Sequence, residues 1–312
     1  MIMILSNNFK KIIMNVSLDS NTYRPTFLFL LTTFALIFVS GCAGKKSSSN
    51  GEFSSWSAVS PNVLAQFSNG NSTVISTTGT ISQTNSNVNA SILLDSGYNI
   101  SSVTLNQTAT NLVRFSAAAG DTIVKDSAGA NTLFTNQKAT NIGILANPYY
   151  YGYEYQTYGA WGSWGNAVSP GNAVSVGAIT PASAIPSSGS AVFTGASNGY
   201  LIDGGFAYLT NASMTANANF STRTISFSTS SSTLTGKIGG TVSAADWLNL
   251  TGSMTYSAGA NKLTGAVTSA SGMSGSIIGN FYGPSANEIG GTYGLTKSTT
   301  GGSLVGGFGG KR

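Results

Sequence analysis

The sequence predicts an all-β protein: a β-rich domain over residues 53–170, then an eight-stranded soluble β-barrel over residues 190–312. Three observations carry this. Apolar and polar residues alternate with period two in one short segment after another, while helical periodicity is hard to find. Glycine is abundant, at 39 of 312 residues, and is interleaved with aromatic residues that make up 10% of the chain. Charge is scarce, at 7%, so Ser, Thr and Asn supply most of the polarity. This composition suits an extracellular β-rich protein, and the recurring aromatic and branched aliphatic residues set it apart from a disordered chain.

In chain order, residues 1–26 are polar and mildly basic, and Thr26 to Val39 (TFLFLLTTFALIFV) is an apolar run. At about fourteen residues it fits a signal-peptide core and is short for a membrane span of roughly twenty. Val39-Ser40-Gly41-Cys42 follows and resembles a bacterial lipobox, so residues 1–41 are expected to be a signal peptide and Cys42 the lipidated first residue. The long polar lead-in makes Met14 an alternative start. Cys42 is the single cysteine, which rules out an intrachain disulfide. Diacylglyceryl and amide-linked acyl chains of the palmitate kind would anchor it stably, because two or more chains are needed for that. Ala43 rather than aspartate follows, consistent with export to the outer membrane. Residues 42–52, with Gly44 to Asn50 reading GKKSSSN, form a flexible tether.

Short strands are expected in the first domain at Val74 to Ser76, Ala90 to Leu94, Tyr98 to Leu105, Val113 to Ala117 and Thr122 to Val124, with a Gly120-Asp121 turn before the last. A short helix is expected over Ser60 to Phe67, capped by Ser60 with Pro61 in its first turn. The most aromatic stretch is Tyr149 to Trp164, YYYGYEYQTYGAWGSW. Read as a strand, it puts Tyr149, Tyr151, Tyr153 and Tyr155 on one face and Tyr150, Glu154 and Gln156 on the other. Such rings serve either as a contact platform, with much area at low entropy cost, or as packing over the domain core. Tyr149, Tyr151, Tyr153, Tyr155, Trp161 and Trp164 are the candidate ligand-contact residues.

Gly171 to Gly189 holds Pro181 and Pro186 among small residues and reads as a linker over residues 171–189. Barrel strands follow. Met214, Ala216, Ala218 and Phe220 alternate with Thr215, Asn217 and Asn219, and Leu248, Leu250, Gly252, Met254 and Tyr256 alternate with polar residues. Near the end, Phe281-Tyr282-Gly283-Pro284 closes a strand, because proline cannot donate to a ladder. Ile289, Gly291, Tyr293 and Leu295, then Leu304, Gly306 and Phe308, repeat the period. Glycine facing large aromatics suits a small barrel filled by its own side chains. A membrane barrel also alternates, but many of these strands read as about five to seven residues, short of the roughly nine to eleven a span requires.

These residues carry a resemblance. Phe-Tyr-Gly-Pro-x-Ala-x-Glu-x-Gly-Gly-x-Tyr from Phe281, with the terminal Gly-Gly-Phe-Gly-Gly-Lys-Arg, looks like the closing strands of the transferrin-binding-protein-B-like barrel, shared by Slam-dependent and hemophilin-type surface lipoproteins. Tyr153 to Trp161 resembles the strand ending the family's first domain, its handle, and Ser190 to Tyr200 its first barrel strand. The resemblance covers Tyr153 to Arg312. It implies a single handle–barrel unit, carried by a Slam-type translocon to the cell exterior, with a host protein or a TonB-dependent receptor as partner.

Catalytic chemistry finds no purchase. Histidine is absent, which removes Ser-His-Asp and Cys-His nucleophiles, His-zinc sites and His-ligated haem. The mature carboxylates, among them Asp121, Asp126 and Glu288, show no spacing that suggests a glycosidase pair. No phosphate-binding glycine motif sits between a strand and a helix. Of the net charge of +5, residues 1–41 carry +2, and the remaining charges are spread singly apart from Lys45-Lys46 and Lys311-Arg312, with no patch for nucleic acid. The expectation is a non-catalytic outer-membrane surface lipoprotein, without cofactor or metal, that binds a host protein or nutrient carrier. The alternatives are a carrier of a small molecule of the haem type, through Tyr or Met, and an adhesion factor with no soluble ligand.

Overall fold

The structure is a computed structural model that describes residues 53–312 apart from 69, 77, 86–87, 107–111, 164–170, 237 and 298–301. The expected signal peptide, Cys42, the tether and Trp164 lie outside the described residues. The first eleven strands are β1 (Leu64–Phe67), β2 (Gly70–Ile75), β3 (Ile81–Asn85), β4 (Asn89–Leu94), β5 (Ile100–Asn106), β6 (Leu112–Ser116), β7 (Thr122–Lys125), β8 (Asn131–Thr135), β9 (Asn141–Ala146), β10 (Gln156–Ser163) and β11 (Gly171–Gly177). A single helical turn, α1 (Pro148–Tyr151), joins β9 to β10. These strands form a four-stranded sheet, β1-β4-β5-β6, and a seven-stranded sheet, β3-β2-β11-β10-β9-β8-β7.

The barrel follows as β12 (Ser190–Asp203), β13 (Phe206–Asn219), β14 (Thr224–Thr235), β15 (Val242–Ala244), β16 (Leu250–Thr255), β17 (Leu263–Ser269), β18 (Ser274–Tyr282), β19 (Glu288–Thr296) and β20 (Ser303–Lys311). Their antiparallel order is β13-β12-β20-β19-β18-β17-β16-β14-β15, and pairing of β13 with β14 closes the ring. Eight strands thus make the barrel, and β15 is a short addition along β14.

Among the described residues three large apolar cores follow from the alternation, beside a small cluster of Ala146, Tyr153 and Tyr158. The barrel is filled by inward side chains, including Phe193, Met214, Phe227, Met254, Phe281 and Phe308. Between the two sheets of the handle lie Trp56, Phe67, Ile92, Phe115, Phe134 and Trp161. The third core joins handle to barrel, with Ile75, Ile142, Ile144 and Ala173 packed on Tyr200, Leu209 and Val305. The seven-stranded sheet is therefore covered on both faces, and β10 and β11 are buried along almost their whole length.

Several expectations change. Gly171 to Gly177, assigned to a linker by composition, is β11, paired on both sides with β10 and β2. Its small residues are those of a strand pressed between two layers. The remainder of that segment runs along the barrel: Ile179 bridges to Tyr282, and the Thr180 N–H donates to the Phe281 carbonyl at 3.0 Å. Ser60 to Phe67 is a turn followed by β1, not a helix, because pairing with β4 outweighs the cap signal. Barrel strands expected as separate short pieces fuse, so β12 and β13 run 14 residues each and β14 runs 12. Strand length therefore does not distinguish this barrel from a membrane-spanning one. Facing does: Ser213, Asn217, Ser226, Ser228, Thr251 and Thr264 are exposed on the outside, while the inside is apolar. A membrane barrel has the opposite arrangement, an apolar band outside and a polar interior.

Candidate functional site

The tyrosine-rich stretch is not one strand. After β9, Asn147 caps α1 by accepting the Tyr149 N–H at 3.1 Å, with Pro148 in the first helical position, and Gly152 ends the turn at φ 62°. A residue with positive φ there favours glycine, which is what the sequence supplies. The helical turn and loop destroy the two-residue period, so the four odd-numbered tyrosines separate. Tyr149 and Tyr150 are exposed, at 40% and 55%. Tyr149 meets Tyr98 edge to face at 5.6 Å between centroids, and Trp56 lies behind it at 6.1 Å. Tyr151 stacks on Tyr153 at 5.2 Å, and Tyr153 is buried. Tyr155 is half-buried, and Trp161 lies in the handle core. Of the described candidates only Tyr149 presents a large exposed ring, and it is joined by Tyr98, from an earlier turn, and by Tyr150, which a strand would have put on the opposite face.

The buried members of the stretch form a seam. Tyr153 donates its hydroxyl to the Gly309 carbonyl at 2.6 Å, and Gln156 Nε2 donates to the carbonyls of Ile289 at 2.8 Å and Gly310 at 3.2 Å. Tyr158 sits over Gly307 and Gly309: an added Cβ at Gly309 would run into its ring, and one at Gly307 would meet its Cβ. The Glu288 carboxylate, 3% exposed, accepts the N–H groups of Glu154 at 2.6 Å and Tyr155 at 3.2 Å. Burial lifts its pKa to about 7, aided by the Glu154 charge and opposed by those two donors and Lys311. Further along, Thr73 donates to Thr292 Oγ1 at 2.8 Å, and the Ser175 and Tyr282 hydroxyls lie 2.9 Å apart. Desolvation raises the pKa of the buried Tyr153, Tyr158 and Tyr282 hydroxyls, so these rings stay neutral donors.

A second polar chain crosses the seam near α1. Asn211 Nδ2 donates to Asn198 Oδ1 at 2.8 Å, Asn198 Nδ2 to Asn131 Oδ1 at 2.9 Å, and Asn131 Nδ2 to Asp126 Oδ2 at 2.7 Å. Tyr151 adjoins it. Burial first, then the Asp126 and Tyr150 charges, push its hydroxyl up to about 12, against hydrogen bonds with Asn211 and Asn131.

The other exposed large apolar side chains include Phe206 (67%), Val242 (64%) and Trp247 (40%). Strand direction puts all three at one end of the barrel, in the β12–β13 hairpin and the β14–β16 connection. The chain enters the described region at the other end, where the Trp56 N–H donates to the Glu154 carbonyl beside Glu288. Neither loop carried a sequence signal beyond ordinary strand-forming residues. Among the described residues, no three His, Cys, Asp or Glu side chains converge on a common point.

A closed antiparallel barrel filled by its own side chains, with a handle sheet clamped along its glycine-rich side, defines the class. Residues 185–312 match the family model of the C-lobe and N-lobe beta barrels of Tf-binding protein B. That match covers all the barrel strands, β12 to β20. No curated protein matches the chain. Among solved structures, the transferrin-binding protein B mutant Trp-176-Ala from Haemophilus parasuis Hp5 is similar at 14% identity and a TM-score of 0.41, covering 72% of this chain and 51% of that one. Intact Ap-TbpB with both lobes is similar at 16% identity and a TM-score of 0.43, covering 77% and 45% respectively. A surface lipoprotein is similar at 15% identity and a TM-score of 0.38, covering 78% and 98%. The chain spans about half the length of the two transferrin-binding proteins.

Proposed function

We propose that this chain is a non-catalytic binding protein that captures a host protein or nutrient carrier at the cell surface. The observation that supports it is where the aromatic residues are spent. The barrel interior is occupied by its own phenylalanines and methionines, so a ligand is met on the outside. Outside, Tyr98, Tyr149 and Tyr150 on the handle, and Phe206, Val242 and Trp247 on the barrel loops, are large apolar side chains in water. Exposed aromatic side chains such as these are the residues that most often dominate binding energy at an interface. In this reading Cys42 carries the acyl chains that hold the protein on the outer membrane, a Slam-type translocon brings it to the exterior, and a TonB-dependent receptor takes over the captured cargo.

The test is capture from host fluid by cells displaying the full chain. Tyr149→Ala with Tyr150→Ala, and separately Phe206→Ser with Trp247→Ser, should leave the unfolding midpoint within a few degrees of wild type, and at least one pair should reduce the captured protein tenfold or more. Undiminished capture by both pairs would reject these surfaces. Tyr153 is unsuitable for such a test, because its hydroxyl holds the seam. Labelling of intact cells by an impermeant reagent, lost in Cys42→Ala, tests the anchor and its orientation.

A further inference from the structure

A cleft of about 210 Å³ opens where the β7–β8 turn of the handle meets the ends of β13 and β14. Its walls differ in chemistry. Leu133 and Ile144 from the handle face Leu209 and Leu234 from the barrel, giving an aliphatic channel. Asp126, Asn131 and Asn211 supply polar atoms, and among the described residues that line the cleft there is no lysine or arginine. The Asp126 carboxylate is held in place by the Ala130 N–H at 2.8 Å and by Asn131 Nδ2 at 2.7 Å, and the asparagine chain through Asn198 fixes Asn131 and Asn211 in turn. The neighbouring cation, Lys125, lines a different cleft together with Asp95, whose carboxylate it helps to stabilise.

We propose that this cleft takes a cationic alkyl group, an ammonium or guanidinium on an aliphatic stem, presented by a free basic amino acid or by a basic residue of a polypeptide. The dimensions fit: the cleft is smaller than the roughly 300–1,000 Å³ of sites for drug-sized ligands, and a single long side chain is the matching scale. Methylene groups of the stem cover the leucine and isoleucine wall, while the head group, which has donors and no acceptor, meets a carboxylate and amide oxygens. A neutral apolar group would cover the same wall but leave the Asp126 charge without a counter-ion. An anion would meet Asp126 with like charge and no compensating cation among the described lining residues. The inference stands apart from host-protein capture, since it concerns a site that a small probe can fill.

The experiment is a calorimetric titration of the full acylated chain in detergent, at low salt. The probes are N-acetyl-arginine methylamide, N-acetyl-lysine methylamide, free arginine and free lysine, with N-acetyl-norleucine methylamide as the uncharged stem. At least one cation should bind saturably and at least tenfold more tightly than the norleucine compound. Tighter binding of the blocked forms assigns the site to a residue within a polypeptide, and tighter binding of the free forms assigns it to an amino acid. Asp126→Asn keeps an acceptor for the Ala130 N–H and should weaken binding tenfold or more. Leu234→Trp, which fills the channel from the barrel side, should abolish binding, and it serves if Asp126→Asn fails to fold. No saturable binding, equal binding of the norleucine compound, or unchanged affinity in a folded variant overturns the proposal.

Discussion

The barrel has two outer faces built by one ring of strands, and they are made of different residues. On β14, on β16 and on β13 from Ser213 onward the outward positions are Ser, Thr and Asn, largely in water. On β19 and β20 they are Glu288, Gly290, Thr292, Gly294, Gly307 and Gly309, all buried under the handle. Hydroxyl side chains suit a strand face that hydrates, since they are β-compatible and need no partner from the protein. Glycine suits a face on which another backbone comes to rest. At Gly307 the Val174 carbonyl and the Gly159 nitrogen already occupy the neighbourhood of a Cβ. The comparison teaches that an outward glycine in this barrel marks a docked layer.

The sharpest way to break that contrast is to put a side chain on each face. Gly309→Leu would drive a branched chain into the Tyr158 ring, which lies 2.5 Å from the position of an added Cβ. It should destabilise by about 3 kcal/mol or prevent folding. The next effect is set by pH. Glu288 ordinarily ionises near 4.5, and in the folded protein burial raises this to about 7, with the Glu154 charge adding to the rise, the Glu154 and Tyr155 N–H groups and Lys311 opposing it, and the Tyr153 and Tyr282 hydroxyls close by. The folded state therefore keeps a proton that the unfolded chain releases, so the contribution is whole below about pH 4.5 and lost as pH rises through about 7. Between about pH 5 and about pH 8 the wild type should lose roughly 2 kcal/mol relative to Glu288→Gln in urea titrations. A parallel pH profile for the two proteins would show that the group does not titrate in that window.

Smaller again is Tyr153→Phe, which leaves the buried Gly309 carbonyl without its donor and should cost about 1–2 kcal/mol in thermal melts. The control is Ser228→Leu on the solvent face of β14, expected to change stability by no more than about 0.5 kcal/mol. If the control were as damaging as the glycine substitution, the two faces would not differ in the way described.

The period-two alternation was legible at Met214 to Phe220 and at Ile289 to Leu295, and both segments put the expected side chains inside. The turn after Tyr282 was legible too, because Gly283 takes φ 84° ahead of Pro284. The tyrosine stretch was misleading for a local reason. Asn147, Pro148 and Gly152 are a cap, a first-turn residue and a stop, and together they outweigh the strand preference of the rings between them. The seam was hidden because its partners lie far apart in sequence. Gln156 with Gly310 and Glu288 with Tyr155 leave no mark in any local window.

By itself the sequence determined the all-β class, the self-filled barrel and the exclusion of imidazole chemistry. Each of these depends on which residue types are present and on the spacing of near neighbours. Tertiary structure alone decided which glycines carry the handle, which tyrosines reach water and where Glu288 meets its donors. Those outcomes depend on how two layers come together, and a strand's outward face is the same sequence pattern whether water or another sheet covers it.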